Sequence, residues 1–305
     1  MPYLAFLFIC LCWGTSFILM DRAAHAFGPA AIGFGRMVGG AATIAIYCLA
    51  KRQWMRITGR DLLRLAFVAL LANAFPYVAQ PYVMAAAGEH AFFGMMVTLV
   101  PIATIAAGGL MLNQWPTSRQ WIGVLGGLAC TAIIVWDGTT RGMQPWLLAL
   151  ALCTPVSYAI GNTYLKWKLS HLPTGPLTTL FLALGAVLVL PVAVTPGLRE
   201  VLHLGGPASP RDWPVAVASL VTLGVGSTGV AILAFVHLIQ TQGPFFAGMV
   251  TYVVPMIALV WGQFDHEQLT GRQLAAIAGT LSMVALVQWN AATPAAPPPS
   301  SEPLA

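Results

Sequence analysis

Gly94-Met95 and Val100-Pro101, in the stretch GMMVTLVP, return later in the chain as Gly248-Met249 and Val254-Pro255, in the stretch GMVTYVVP. Further along, Thr117, Arg119, Gln120 and Trp136 return as Thr270, Arg272, Gln273 and Trp289. The offset is 154 residues for the first set and 153 for the second, so one residue is lost between them. An internal repeat in strongly apolar text marks a duplicated block of membrane-spanning segments. Transporters built this way carry their substrate site between the copies.

Composition agrees with a membrane protein. Of 305 residues, 58% are hydrophobic and 8% charged, against roughly 25% charged in soluble domains; the mean hydropathy is +0.79. Too few charges exist to cover a water-facing globule, and apolar runs of about 20 residues match the hydrocarbon thickness of a bilayer. The formal charge of +5 does not point to nucleic acid, because Lys51, Arg52, Arg56, Arg60 and Arg64 cluster in one short connection. That is the pattern of a loop held in the cytoplasm beside anionic lipid. Cys10, Cys12, Cys48, Cys130 and Cys153 all fall in apolar segments, where sulfur acts as a small hydrophobe, and their spacing fits no zinc pattern.

Runs between polar or Pro/Gly breaks predict spans near 3–20, 30–50, 62–84, 90–112 and 119–136, then 145–166, 175–195, 214–238, 244–263 and 272–290. The expected fold is therefore all-α: ten transmembrane helices as two five-helix repeats, residues 1–140 and 141–290, around a central cavity. Because five is odd, the second repeat enters the membrane from the opposite side, and the halves are inverted about a pseudo-two-fold axis in the membrane plane. Residues 291–305, rich in Ala, Pro and Ser, read as a disordered tail. Ala24-His25-Ala26 resembles a signal-peptide cleavage site, but Met1-Pro2-Tyr3 lacks a positive leader and Asp21 and Arg22 interrupt the approach. With the N-terminus inside, eight loop Lys and Arg residues fall on the cytoplasmic side and five on the outer side, which places both termini in the cytoplasm.

The nine acids all lie in loops, tails or at span ends, so a mid-membrane proton-coupling carboxylate is not expected. His90 and His237 are the titratable alternatives. Arg36 is the basic residue set well inside a predicted span. It either holds a substrate carboxylate or, the preferred reading, snorkels to the interface or caps backbone carbonyls.

The third span carries Asn73, Pro76, Tyr77, Gln80, Pro81 and Tyr82, and two prolines predict a broken helix whose freed carbonyls face protein or a cavity. Its repeat counterpart is the Gly224, Gly226, Ser227, Gly229 stretch. Pro101 and Pro255 add matched kinks, and with Pro76 and Pro81 they are the expected hinges. Trp13, Thr15 and Ser16; Ser157, Tyr158, Asn162 and Tyr164; and Thr251, Tyr252, Trp261 and Gln263 put aromatic and neutral polar groups on three further spans. Such a lining suits a medium-sized, partly apolar solute better than an inorganic ion. The expected cavity set is Trp13, Ser16, Tyr77, Gln80, Tyr82, Ser157, Tyr158, Asn162, Ser227 and Tyr252.

Gly224-Val225-Gly226-Ser227-Thr228-Gly229 matches a dinucleotide fingerprint, but it lies within an apolar span rather than between strand and helix. A Ser227–His237 nucleophile pair fails on distance, since ten helical residues span about 15 Å. No enzyme, cofactor or metal site is expected. Gly35 with Gly39 and Gly123 with Gly127 are helix-packing seams, within one chain or across a weak homodimer.

Trp13-Gly14-Thr15-Ser16-Phe17 in the first span, Arg36 in the second, the matched Val-Pro of spans four and nine, and the Gly-rich spans five and ten resemble the drug/metabolite transporter superfamily, in particular its EamA-type exporters. The likeness covers residues 3–290, and within it the chain is most similar to bacterial aromatic amino-acid exporters. The resemblance implies a cavity lined by spans 1, 3, 4, 6, 8 and 9, and export of small solutes across the inner membrane. It leaves open, as the alternative, a proton-coupled multidrug or other metabolite exporter of the same superfamily. The sixth span departs from it: Thr154-Pro155-Val156-Ser157-Tyr158 has no tryptophan-glycine pair.

Overall fold

The computed structural model describes residues 2–87, 99–135, 145–202, 204–207, 209–262 and 271–288. His90, Gln263 and the 291–305 tail lie outside them. The described residues are helical, without strands. We label α1 Pro2–Ala24, α2 Pro29–Ala50, α3 the continuous helix 59–87, α4 Val100–Leu112, α5 Ser118–Val135, α6 Pro145–Leu169, α7 Thr174–Val194, α8 Trp213–Gln242, α9 the helical stretch 244–262 and α10 Gly271–Gln288. A six-residue helix, Pro196–Val201, follows α7. Helices α1, α2, α3, α6, α7 and α8 are long and apolar enough to cross a membrane. Their outward faces are apolar as well: Leu7 and Leu11 on α1, Ile46 on α2 and Leu63 on α3 are all exposed. Water would not tolerate such a surface, and lipid does.

Local chemistry sets several boundaries. Pro29 and Pro214 occupy first-turn positions, where a missing N–H costs nothing. Thr58 caps α3 by accepting from Asp61 N–H, and its hydroxyl in turn donates to the Asp61 carboxylate. Gly243, at φ +91, alone separates α8 from α9. A side chain there would be strained, so this reversal needs glycine. Helix α1 runs past the predicted residue 20 to Ala24, with Arg22 in its last turn, where a cation complements the helix dipole.

The third span does not break. Residues 70–74 form a π turn, Leu70–Ala74, in which Phe75 N–H bonds to Leu70 O. Pro76 has no N–H to continue that register to Leu71 O, and the Ser157 hydroxyl of α6 donates to Leu71 O instead. Pro81 frees the Tyr77 carbonyl in the same way. Gly33 of α2 packs against it so closely that a Cβ would stand 2.7 Å from that oxygen. Helix α8 carries a second π segment, Leu223–Val230, and the two begin 153 residues apart. The irregular stretches are thus paired in position, as the sequence repeat predicts, but they are wound rather than broken. Intrahelical π segments of this kind concentrate at functional sites.

The packing follows an exchange of the two halves. Helix α1 lies on α9 as α6 lies on α4; α2 crosses α8 as α7 crosses α3; α2 pairs with α7, and α5 with α10. The glycine seams are contacts within the chain. Gly39 meets Gly224 backbone to backbone, Gly35 meets Leu220, Gly123 meets Val287, and Gly127 faces the Tyr252 ring. One face of the bundle gathers the C-terminal ends of α2, α6 and α8 with the N-terminal ends of α3 and α7. There Thr174 donates to Gln240, Gln240 to Leu172 O and Lys166 to Gln240 O, and His171 lies 3.5 Å from Asp61. On the opposite face Arg211 N–H donates to His25 O and Gly28 abuts Gly205.

Candidate functional site

Between these faces lies a narrow cavity of about 70 Å³, below the usual range of small-molecule sites. Its walls come from α1, α2, α3, α4, α6, α7, α8 and α9. Of the residues expected from sequence, Trp13, Ser16, Tyr77, Gln80, Tyr158 and Asn162 line it. Phe17, Phe181, Phe235 and Thr251 also line it; the phenylalanines carry no sequence signal that separates them from other apolar residues of apolar spans.

Trp13 is fixed twice. Its indole N–H donates to Ser227 O at 3.0 Å, and its ring packs on Phe235 with centroids 4.7 Å apart. Ser227 in turn donates to Cys12 O at 2.9 Å. The π segment of α8 is thereby latched to the tryptophan-glycine turn of α1 by carbonyls and donors that an ordinary helix would keep to itself.

The remaining expected residues lie elsewhere. Ser157 is committed to Leu71 O and Ser227 to Cys12 O. Tyr252 is fully buried with its hydroxyl donating to Val124 O of α5 at 2.9 Å. Tyr82 stacks at a tilt on Trp146, 5.8 Å between centroids. His237 is exposed on α8 and absent from the cavity wall. Pro101 sits in the first turn of α4 as described, and Pro255 inside α9.

Arg36 neither snorkels nor caps carbonyls. It is 3% exposed and turned into the cavity. Its Nε donates to Thr228 Oγ1 at 3.2 Å, its Nη1 lies 3.1 Å from Met20 Sδ, and its guanidinium sits 4.4 Å over the Tyr77 ring. These three neighbours hold the group in the wall, since the cavity gives it room that the lipid-facing surface does not.

A polytopic helical chain whose crossing helices enclose an aromatic and amide-lined cavity has the architecture of a membrane transporter. The EamA-like transporter family matches residues 1–136 and again 145–289, and the chain belongs to it. Members of that family are transporters, not enzymes. Among curated proteins the chain is similar to "Uncharacterized inner membrane transporter YedA" of Escherichia coli (strain K12), 24% identical over 253 residues, covering 82% of this chain and 78% of that one. It is also similar to "Uncharacterized transporter YvbV" of Bacillus subtilis (strain 168), 23% identical over 280 residues, covering 91% and 87%. A protein solved by crystallography shares the fold, with TM-score 0.72 at 18% identity over 93% of this chain and 95% of that one.

Proposed function

We propose that the chain exports aromatic and other neutral amino acids, or metabolites like them, across a bacterial cytoplasmic membrane by alternating access. The observation that carries this reading is the cavity itself, where the rings of Trp13, Phe17, Tyr77, Tyr158 and Phe235 stand beside the amides of Gln80 and Asn162. Rings take up an apolar body and amides orient its polar end. An inner-membrane location is supported by the name of the YedA relative. Ten spans in two inverted repeats, 1–140 and 141–290, are supported by the twofold family match and by the exchange of helix contacts between the halves. Both termini are assigned to the cytoplasm, because Lys51, Arg52, Arg60, Arg64, Lys166 and Lys168 share one face of the bundle.

Transport is facilitative or by exchange, since among the described residues no carboxylate lines the cavity, and His237 lies outside it. Helix rocking is hinged at Pro76, Pro81, Pro101 and Pro255, and the working unit is a monomer or weak homodimer.

Efflux from proteoliposomes preloaded with labelled phenylalanine, tryptophan or threonine tests this. Release at equal rates with and without a pH gradient is expected, and slower release from a Pro101→Ala/Pro255→Ala variant. Release of cationic dye alone, or of anything only under a gradient, would instead favour proton-coupled multidrug export.

A further inference from the structure

Arg36 is a cation in a low-dielectric wall with an incomplete set of partners. A guanidinium offers five N–H donors. Here it meets the Thr228 hydroxyl, one thioether, and the ring and hydroxyl of Tyr77, and no carboxylate lies within ion-pair distance among the described residues. Thioether sulfur is a weak acceptor. A cation–π contact offsets little of the cost of burying a charge. An intramembrane charge left in this state is a functional group awaiting a counter-ion.

The rest of the wall narrows what that counter-ion belongs to. Among the described residues no acid lines the cavity, so the described wall is net positive and a cationic solute meets repulsion with no carboxylate to offset it. Phe17, Phe235, Ile232 and Val236 provide an apolar berth for a hydrocarbon body. The groups left for an ammonium are neutral acceptors such as Asn162, Gln80 and Thr251; they tolerate that charge without requiring it. A planar, forked cation matches a carboxylate in two parallel hydrogen bonds, a geometry that a spherical anion cannot use.

We propose that Arg36 is a carboxylate receptor, and that the cavity takes amphipathic monocarboxylates for which the carboxylate is required and the α-ammonium group is dispensable. This deepens the exporter reading and rests on it for the cavity being the substrate site.

The test is competition against labelled phenylalanine on the purified full chain in nanodiscs, using 3-phenylpropionate, phenylalanine methyl ester, 2-phenylethylamine and sodium nitrate. We expect 3-phenylpropionate to compete within about 10-fold of phenylalanine, and the ester and the amine to be weaker by about 100-fold, the scale of a lost charge-assisted hydrogen-bond pair. Arg36→Gln is expected to erase that gap, whereas Arg36→Lys keeps the ranking at lower affinity, with thermal melting reporting that both are folded. If Arg36→Gln does not fold, the comparison of acid with ester on the unaltered protein decides alone. An ester or amine as strong as the acids, nitrate as strong as 3-phenylpropionate, or no specific binding by any acid overturns the proposal. Acids that bind but never leave liposomes would sink the exporter reading and leave the carboxylate site standing. Conversely, efflux of amino acids together with esters would sink the site and spare the exporter.

Discussion

Replacing Gly14 by valine is expected to leave little folded protein. Gly14 lies where α1 crosses α9, and a Cβ on it would stand 2.4 Å from Ile257 Cβ, 2.5 Å from Ile257 Cγ2 and 3.2 Å from Val254 O. The obstacle is the branch point of an isoleucine and a backbone carbonyl, not the tip of a flexible chain, so the helices themselves must part. Overpacking a tight core costs about 1–3 kcal/mol even where side chains can yield, and more where they cannot. That is a large share of the roughly 5–15 kcal/mol that holds a typical protein together. Any shift of α1 would also disturb the contacts of Trp13 with Ser227 and Phe235 on α8. Alanine at the same position should give an intermediate loss. Gly226, in the π segment of α8, has nothing within 4 Å of a built Cβ, and Gly226→Ala should change stability by no more than about 1 kcal/mol. Folded yield and thermal unfolding in detergent check all three. A stable Gly14→Val protein would mean that α1 does not sit on α9 as described.

The second large effect is a coupling. Ser157→Ala is expected to cost about 1–3 kcal/mol, because Leu71 O, already deprived of an intrahelical partner by Pro76, is then left unpaired away from water. Pro76→Ala supplies an N–H one turn along. Combined with Ser157→Ala, it should recover part of the loss, so that the double variant is more stable than Ser157→Ala alone. Measured by unfolding in a double-mutant cycle, additivity of the two changes would contradict the proposed division of labour between Ser157 and the π turn.

The same pair of residues shows what a sequence can and cannot convey about the site. Helices α1, α2, α6, α7 and α8 are legible as apolar runs with proline or glycine punctuation, because bilayer thickness imposes length and composition on them. The repeat is legible because its residues recur in order. Rotation about each helix axis is not. Ser157 and Tyr158 are neighbours, and successive helical residues point about 100° apart. Tyr158 therefore reaches the cavity while Ser157 reaches α3, and one turn of reasoning separates a lining residue from a strut. Thr251 and Tyr252 divide in the same way, one on the cavity and the other against Gly127 and Val124 O. Polar residue type marked both members of each pair, and only tertiary packing sorts them.

The π turns were hidden for a related reason. Pro76 and Pro81 announce freed carbonyls, but whether the helix breaks or underwinds into a π turn depends on what stands opposite. Ser157 and the bare Cα of Gly33 sit on other helices, far away in sequence. Arg36 was misplaced by the same blindness. A cation eight residues into α2 would snorkel if it faced lipid. Here Tyr77, Thr228 and Met20 turn it inward, and none of the three is near it in the chain.

The central claim, that one mid-membrane cavity opens alternately to the two sides, is tested most directly by accessibility. With Cys10, Cys12, Cys48, Cys130 and Cys153 replaced, single cysteines at Gln80 and Asn162 probe the walls contributed by the two halves. Each is labelled in oriented vesicles with a membrane-impermeant thiol reagent applied from one side and then from the other. The account predicts that both positions are modified from both sides, and that phenylalanine slows the reaction at each. Modification of both from one side alone, whatever solute is present, would contradict it.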